Sequence, residues 1–192
     1  MNVSKNRNLI LSSAKELFAS RGFNEVTIKE ICAHAGVANS TFYYHFKTKE
    51  ELLHGLRAQD DLPIHDELLN VMMTPNLFEQ VIAVCMIRVS RAEHHGHTIT
   101  AQYYKEVISK ESNCDDLEEE HRQEDQMIGV LIRRAQQEGV IRSDIPTEAL
   151  AAAAIRLTRG VIMDWCAGGG ALDMRREVRR MLMTLFGVKG SE

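Results

Sequence analysis

Residues 27–46 restrict the possible folds more than any other part of the chain, because they carry signals for two helices joined by a tight turn. Residues 27–30, T-I-K-E, match a capping box, in which a threonine caps a helix and a glutamate reaches back to the cap. Gly36 suits the left-handed conformation that ends a helix. Phe42 and Phe46, four residues apart, give the following helix one buried side. The spacing therefore predicts two short helices that pack on a shared core.

Most of the remaining chain also has the periodicity of amphipathic helices. One apolar stripe before the motif consists of Ile10, Ala14, Leu17 and Phe18. After the motif, T-K-E-E at 48–51 is a second capping box, and Pro63 is expected to kink or interrupt the helix that it opens. Further apolar faces predict helices at 76–93, 98–110, 115–138, 147–167 and 171–187. Strand alternation and hairpin dipeptides are scarce, so an all-α fold is expected.

Charge is unevenly distributed along the chain. The 192 residues carry a formal net charge of −4, which argues against indiscriminate binding to nucleic acid. Residues 1–57, however, contain eight Lys and Arg against five Asp and Glu, so this segment is mildly basic and the rest is acidic. The chain therefore has a mildly basic N-terminal module on an acidic body, a charge asymmetry that sets the two parts apart.

The order of these motifs resembles a known family. From Ile10 to Leu53 the chain has an amphipathic helix, then R-G-F, then T-I-K-E-I-C-A-H-A-G-V, then S-T-F-Y-Y-H-F-K-T-K-E-E-L. This closely resembles the DNA-binding domain of TetR-family transcriptional regulators, over residues 9–56 and more weakly at 135–167. The resemblance implies a three-helix helix-turn-helix DNA-binding head at residues 1–55, and a helical effector-binding and dimerisation domain at residues 56–192.

The second motif helix would be the recognition helix, which enters the major groove with its N-terminal end leading. Phe42 and Phe46 face inward, so the polar side chains of this helix face outward. The side chains that suit base edges are Asn39, Ser40, Thr41 and Tyr44. Those of Tyr43 and His45 suit phosphates. The expected DNA contacts are Thr27, Lys29, Val37, Asn39, Ser40, Thr41, Tyr43, Tyr44, His45 and Lys49. Val37 is also expected to plug the turn. Ala38 stands where the family often has Ser or Thr, so Asn39 or Ser40 is expected to cap the helix instead.

The two C-terminal helices suggest a dimer. Residues 150–165 are apolar around most of the helix, and residues 171–187 carry an apolar stripe opposite four arginines. The stripe consists of Val178, Met181, Leu182 and Leu185. We expect a homodimer through these helices, as a four-helix bundle; the alternative is that both fill the core of a monomer.

An effector cavity in the C-terminal domain is implied by the family resemblance alone. The chain has nine methionines, which suit an adaptable apolar pocket. The candidate lining residues are Met86, Tyr103, Met127 and Leu131, with an ordinary core position as the alternative for each.

No other chemistry is indicated. The histidines at 94, 95 and 97 lack the i, i+4 spacing of helical metal ligands and are interpreted as a loop, so neither a metal nor a cofactor is expected. The acidic run at 115–125 is interpreted as a solvated helix face, with cation binding as the alternative. The four cysteines form no C-x-x-C pair and are interpreted as buried thiols; an enzyme that uses Cys85 or Cys166 remains a distant alternative.

The expected function is that of a repressor that leaves a palindromic operator when a small, apolar molecule binds. An activator, or a regulator controlled by a protein partner, is the alternative. No apolar run approaches the ~20 residues that span a bilayer, and the charged N-terminus does not resemble a signal peptide. A cytoplasmic protein without a membrane partner is therefore expected.

Overall fold

The structure, a computed structural model, describes residues 3–60, 64–109 and 122–188. Within these ranges the chain forms ten α-helices and no strand, which confirms the all-α prediction. They are α1 (Val3–Arg21), α2 (Ile28–Ala35), α3 (Asn39–His45), α4 (Lys49–Asp60), α5 (Ile64–Met72), α6 (Leu77–His95), α7 (His97–Ser109), α8 (Arg122–Gln137), α9 (Thr147–Ala167) and α10 (Met174–Phe186). None of the helices in the described ranges has the length and apolar character needed to cross a bilayer.

The described helices group into two compact units. The first contains α1–α4 and α7, and the second contains α5, nearly all of α6, and α8–α10. The expected domain boundary between residues 55 and 56 stays a prediction. The first unit also includes α7, a helix distant in sequence that packs on α1 and α4.

The first unit is built around α1, which packs on α2, α3 and α4. Its predicted stripe forms the core at Ile10, Ala14 and Phe18, which are fully buried. Leu17 is only half-buried, and Leu11 takes the remaining core place. The buried face of α1 is wider than the predicted stripe because α1 packs against helices on more than one side. Leu11, which lies outside the i, i+4 series, is therefore buried as well.

The turn between α2 and α3 forms as the sequence predicts. Thr27 accepts a hydrogen bond from the backbone of Glu30, and the Glu30 carboxylate accepts one from the backbone of Thr27, so the capping box is complete. Gly36 has φ of +67°, in the left-handed region where a Cβ is strained. The Val37 N–H then donates to the Cys32 carbonyl at 3.0 Å, which turns the chain into α3.

The box at the start of α4 differs from the prediction in one bond. Thr48 Oγ1 accepts from the Glu51 N–H at 3.1 Å, as expected for a cap. The Glu51 carboxylate, however, accepts from the N–H of Lys47 at 2.6 Å, one residue before the position that a capping box uses. The α3–α4 connection is therefore held to α4 directly.

In the second unit, α9 packs on both α8 and α10. Ile128, Leu131, Ile132 and Ala135 of α8 are buried, which is the face that the sequence predicts. The predicted helices end within a few residues of the observed ones, and Gly139 and Gly169 have positive φ where stops were expected. Pro63 and the predicted start of a helix at 115 lie outside the described residues.

The interpretation of the acidic run as a solvated face is wrong for Glu124. This side chain is fully buried, and its carboxylate accepts from Arg88 at 2.9 Å and from Arg91 at 2.5 Å. Asp125 also pairs with Arg88. The arginines lie one turn apart on α6, so a pairing between residues distant in sequence joins α6 to the first turn of α8. Residues 115–121 lie outside the described range.

Candidate DNA-binding surface

Helix α3 buries one side and exposes the other. Phe42 is fully buried and Phe46, just after the helix, nearly so, whereas Tyr43 and Tyr44 are 56% and 72% exposed. Asn39 and Ser40 are exposed, and Thr41 and His45 are half-buried. The two exposed aromatic rings thus lie on a seven-residue helix whose inner side already supplies the packing.

The start of α3 differs from the expectation. The N-cap is Ala38, and no side chain accepts a hydrogen bond from the first turn. The expectation that Asn39 or Ser40 caps the helix is therefore wrong, because Asn39 is already the first helical residue. Its amide is consequently not engaged as a cap, which removes the competition between capping and base contact.

The first turn of α2 lies beside a charged network. The Thr27 hydroxyl donates to Glu30 Oε2 at 2.7 Å, and Arg21 Nη1 donates to Glu30 Oε1 at 2.8 Å. Chiefly because of the hydrogen bonds from Thr27, with a further one from Arg21, the pKa of Glu30 falls from 4.5 to about 2. The hydroxyl proton of Thr27 is thus engaged within the protein, so a DNA contact by this residue would use its oxygen as acceptor or its backbone.

Lys49 opens α4 with its ammonium directed back into the protein. Nζ donates to the carbonyl of Phe23 at 2.7 Å and to that of Val26 at 2.9 Å, and it lies 4.3 Å from the centroid of the Phe23 ring. Two of its three N–H donors are therefore used inside the protein. Phosphate contact by Lys49 stays a prediction.

The remaining predicted contact residues lie on α2, on α3 and in the turn between them. Lys29 is exposed on α2, and Val37 is half-buried in the turn, consistent with its expected role as a plug. Thr41, Tyr43 and His45 complete the α3 part of the surface. We call the nine predicted residues other than Lys49 together the α2–α3 surface. Chemically it offers hydroxyl, amide, imidazole and ammonium groups on two short helices, a combination suited to base edges and phosphates.

The four candidate effector residues stay a prediction, and two of them line grooves of the second unit. Met86 lines a groove of about 490 Å³ on α5 and α6, together with Val71, Ile82 and Ile87. Met127 lines a second groove of about 430 Å³ between α5 and α8. Leu131 is fully buried and lines neither groove, and Tyr103 is buried in the first unit.

The other sites considered from the sequence show structural roles. Among the described residues, no group of three His, Cys, Asp or Glu side chains is arranged to hold a metal ion. His95 is buried, and His94 lies 3.3 Å from Lys15 Nζ. Burial raises the pKa of the thiols of Cys85 and Cys166 to about 11, so neither is a reactive thiolate at neutral pH. Cys114 lies outside the described residues.

A glycine turn between two helices, with a polar, aromatic outer side on the second, defines the DNA-binding head of a helix-turn-helix transcriptional regulator. Residues 10–56 match the family model of bacterial regulatory proteins, tetR family. Over 188 residues the chain is 27% identical to the transcriptional repressor KstR2 of Mycobacterium tuberculosis, with 96% of this chain and 93% of that protein covered. Residues 10–56 thus match the DNA-binding domain of that family, and the relative that matches nearly the whole chain is a transcriptional repressor.

Solved structures share the whole fold. A transcriptional regulator from Saccharomonospora viridis, solved in complex with choline, superposes with a TM-score of 0.72 at 23% identity, covering 93% of this chain and 96% of that one. FadR of Bacillus subtilis, in complex with stearoyl-CoA, gives 0.71 at 17% identity, with 95% and 99% covered. At these identities the likeness concerns the fold.

Proposed function

We propose that this regulator is a repressor that binds a palindromic operator as a homodimer and leaves it when a small, apolar molecule binds. The observation that carries the DNA-binding part is the outer side of α3. Tyr43, Tyr44 and Asn39 are exposed there, while Phe42 beneath them is fully buried. Side chains that packing does not need are available for bases and phosphates. The related KstR2 is itself a named repressor, which favours repression over activation.

Within the α2–α3 surface, the proposed roles follow from position and chemistry. Asn39, Ser40 and Tyr44 are the proposed base contacts, with the Thr41 methyl available to a thymine methyl. Tyr43 and His45 are proposed to bind phosphates, and Lys29 either group. Phosphate contacts set the register of the protein on the duplex, and base contacts supply the sequence preference.

For the effector we propose the groove between α5 and α8. Its volume of about 430 Å³ lies within the range of small-molecule sites. The lining is mostly apolar, with Leu68, Leu69, Met72, Met127 and Val130, and two glutamines supply polar groups. Structures of the same fold were solved in complex with stearoyl-CoA in one case and choline in another, so ligand binding is compatible with the fold.

Release would be a population shift. A ligand moves the protein between DNA-binding and released states only if it binds the released state more tightly. The test is native mass spectrometry of the purified protein, followed by titration of the extracted ligand into a complex with fluorescent duplex from upstream of the gene. Release of DNA by that ligand supports the proposal. Met127→Trp, which fills the groove, should then abolish ligand capture while DNA binding persists.

The outcome against the effector site is equally specific. If the Met127→Trp protein still captures the ligand with wild-type affinity, the groove is not the site. If an added ligand binds but leaves the DNA affinity unchanged, the ligand does not control this regulator.

A further inference from the structure

The groove between α5 and α8 has one wall that is polar at one end and apolar at the other. This wall is a single face of α8, because Gln123, Gln126, Met127 and Val130 occupy positions i, i+3, i+4 and i+7 of the helix. At a rise of about 1.5 Å per residue, the first and last of these residues lie about 10 Å apart along the helix axis. The two amides therefore stand at the N-terminal end of the wall, and the apolar side chains follow.

The apolar part of the groove leaves large side chains in water. Leu69 of α5 is 60% exposed, Val130 of α8 is 55% exposed, and Met72 at the end of α5 is exposed as well. All three line the groove. Exposed apolar side chains that adjoin polar ones are typical of a binding surface, and an apolar ligand would remove them from water. The groove therefore suits a ligand with a polar head and an apolar body.

The charged side chains of the same turn of α8 are engaged with another helix. Glu124 and Asp125 lie between the two glutamines in the sequence, and they pair with Arg88 and Arg91 of α6. Glu124 is fully buried, whereas both glutamines are exposed in the groove. An anionic ligand could bind these arginines only by breaking the pairs, which would leave a buried carboxylate without its partners at a large cost in free energy. The groove thus presents neutral amides rather than charges.

We propose that the effector is an uncharged amphipathic molecule, with a hydroxyl or amide head at the two glutamines and an elongated apolar body along α5 and α8. The inference rests on the proposed effector role of this groove and names the ligand class. The amide side chains of Gln123 and Gln126 both donate and accept hydrogen bonds, and so does a hydroxyl or an amide head. A carboxylate or phosphate head would lose hydration without gaining a cation from the described lining of the groove.

Three ligands with the same alkyl chain and different heads test the class. Isothermal titration of the full chain without DNA, at neutral pH, compares decanol, decanoate and decanoyl-CoA. Decanol should bind at least about tenfold more tightly than either anion, because a charged head is desolvated in the groove without a partner. Equal or tighter binding of decanoate or decanoyl-CoA overturns the inference. A lack of binding by all three overturns it as well.

Gln126→Leu tests the contact with the head. This variant removes the donor and acceptor while keeping a side chain of similar size, so decanol should bind about tenfold more weakly. Gln137→Leu is the matched control, because Gln137 is exposed at the end of the same helix and lies outside the groove lining. It should retain wild-type affinity. Wild-type affinity in Gln126→Leu, or an equal loss in both variants, contradicts the inference.

The oligomeric state and the release of DNA separate the remaining outcomes. If Met127→Trp, which fills the groove, converts a wild-type dimer into a monomer in light scattering, a second copy of the chain covers the groove and the inference is overturned. If decanol binds with the expected preference and Met127→Trp abolishes its binding, the ligand class is supported, whether or not decanol releases DNA. A bound ligand of this class that leaves the DNA affinity unchanged counts against the proposed control of DNA binding alone.

Discussion

Gly55 shows how closely the helices of the first unit approach. A Cβ at this position would lie 2.8 Å from Phe46 Cε1 and 3.3 Å from Leu11 Cδ2. Gly55→Ala gains about 1 kcal/mol of helix propensity, but overpacking costs about 1–3 kcal/mol, and the ring of Phe46 must move. We expect a net loss of about 1 kcal/mol in the free energy of unfolding, measured by urea denaturation.

Gly129 is the matched control for this substitution. It lies in α8, and a Cβ there would meet nothing within 4 Å. Gly129→Ala should therefore raise the free energy of unfolding by about 0.5–1 kcal/mol. If Gly55→Ala stabilises the protein as much as Gly129→Ala does, the close approach of α4 to Phe46 is not real.

The lowered pKa of Glu30 should make the stability of the folded protein sensitive to acid. Its pKa is lowered in the folded protein from 4.5 to about 2, so the folded state holds fewer protons than the unfolded state between these values. The stability that Glu30 contributes is complete above pH 4.5 and is lost as the pH falls towards 2. Thermal unfolding between pH 6 and pH 2 should show a smaller decline for Glu30→Gln than for wild type. If the melting temperatures of the two proteins fall in parallel with pH, Glu30 does not contribute to stability through the capping network.

At the scale of elements, α9 and α10 carry a second apolar side beyond the monomer core. Val178 and Leu182 of the predicted stripe are fully buried within the protein, while Met181 and Leu185 are only half-buried. A shallow groove on this side is lined by Leu157, Gly160, Val161, Asp164, Leu172, Glu177 and Met181. Part of the predicted stripe, Val178 and Leu182, therefore belongs to the monomer core, as the second alternative expected. The other part, Met181 and Leu185, is available to a partner chain.

We expect Gly160→Leu to prevent dimerisation through this side. A Cβ at Gly160 meets nothing within 4 Å in the monomer, so the larger side chain fits the isolated fold but obstructs an apposed helix. Light scattering after size-exclusion chromatography should give a dimer for wild type and a monomer for Gly160→Leu. Gly129→Leu, a helical glycine equally open in the monomer, should remain dimeric. A dimeric Gly160→Leu protein would exclude this face as the interface.

The helices themselves were predictable because their signals are local. The Thr27–Glu30 box, the Gly36 stop and the inward pair of Phe42 and Phe46 depend on residues three or four apart. The start of α3 was not predictable in the same way. Ala38 shows that its own side chain cannot cap the helix, but not whether a neighbouring side chain does so instead. This limit matters for the site, because it decides whether the Asn39 amide is available.

Contacts between distant elements were beyond sequence reasoning. Glu124 belongs to an acidic run that is typical of a solvated helix, and only the fold brings it against Arg88 and Arg91. Likewise, Lys49 follows a capping threonine and suits a phosphate contact, yet the backbone carbonyls that it binds precede it by more than 20 residues. The lining of a cavity is also set by such contacts, so residue type and helical spacing alone cannot assign it.

The whole molecule combines a mildly basic N-terminal head with an acidic body. An operator with two half-sites requires two heads at a spacing of about 34–36 Å or a multiple of it. Dimerisation through α9 and α10 would supply the two heads, and an effector in the body would act by favouring a state with another spacing. Each step depends on the α2–α3 surface reading DNA.

The measurement that tests this claim most directly is a binding titration against every single-base variant of the upstream operator, for wild type, Tyr44→Ala and Lys29→Met at moderate salt. Tyr44→Ala should change the preferred base at one or more positions, because the exposed ring and hydroxyl of Tyr44 lie on α3, the proposed recognition helix. Lys29→Met, which removes a charge beside that helix, is the control for a general loss of affinity. A Tyr44→Ala protein with the wild-type base preference at every position would contradict the central claim.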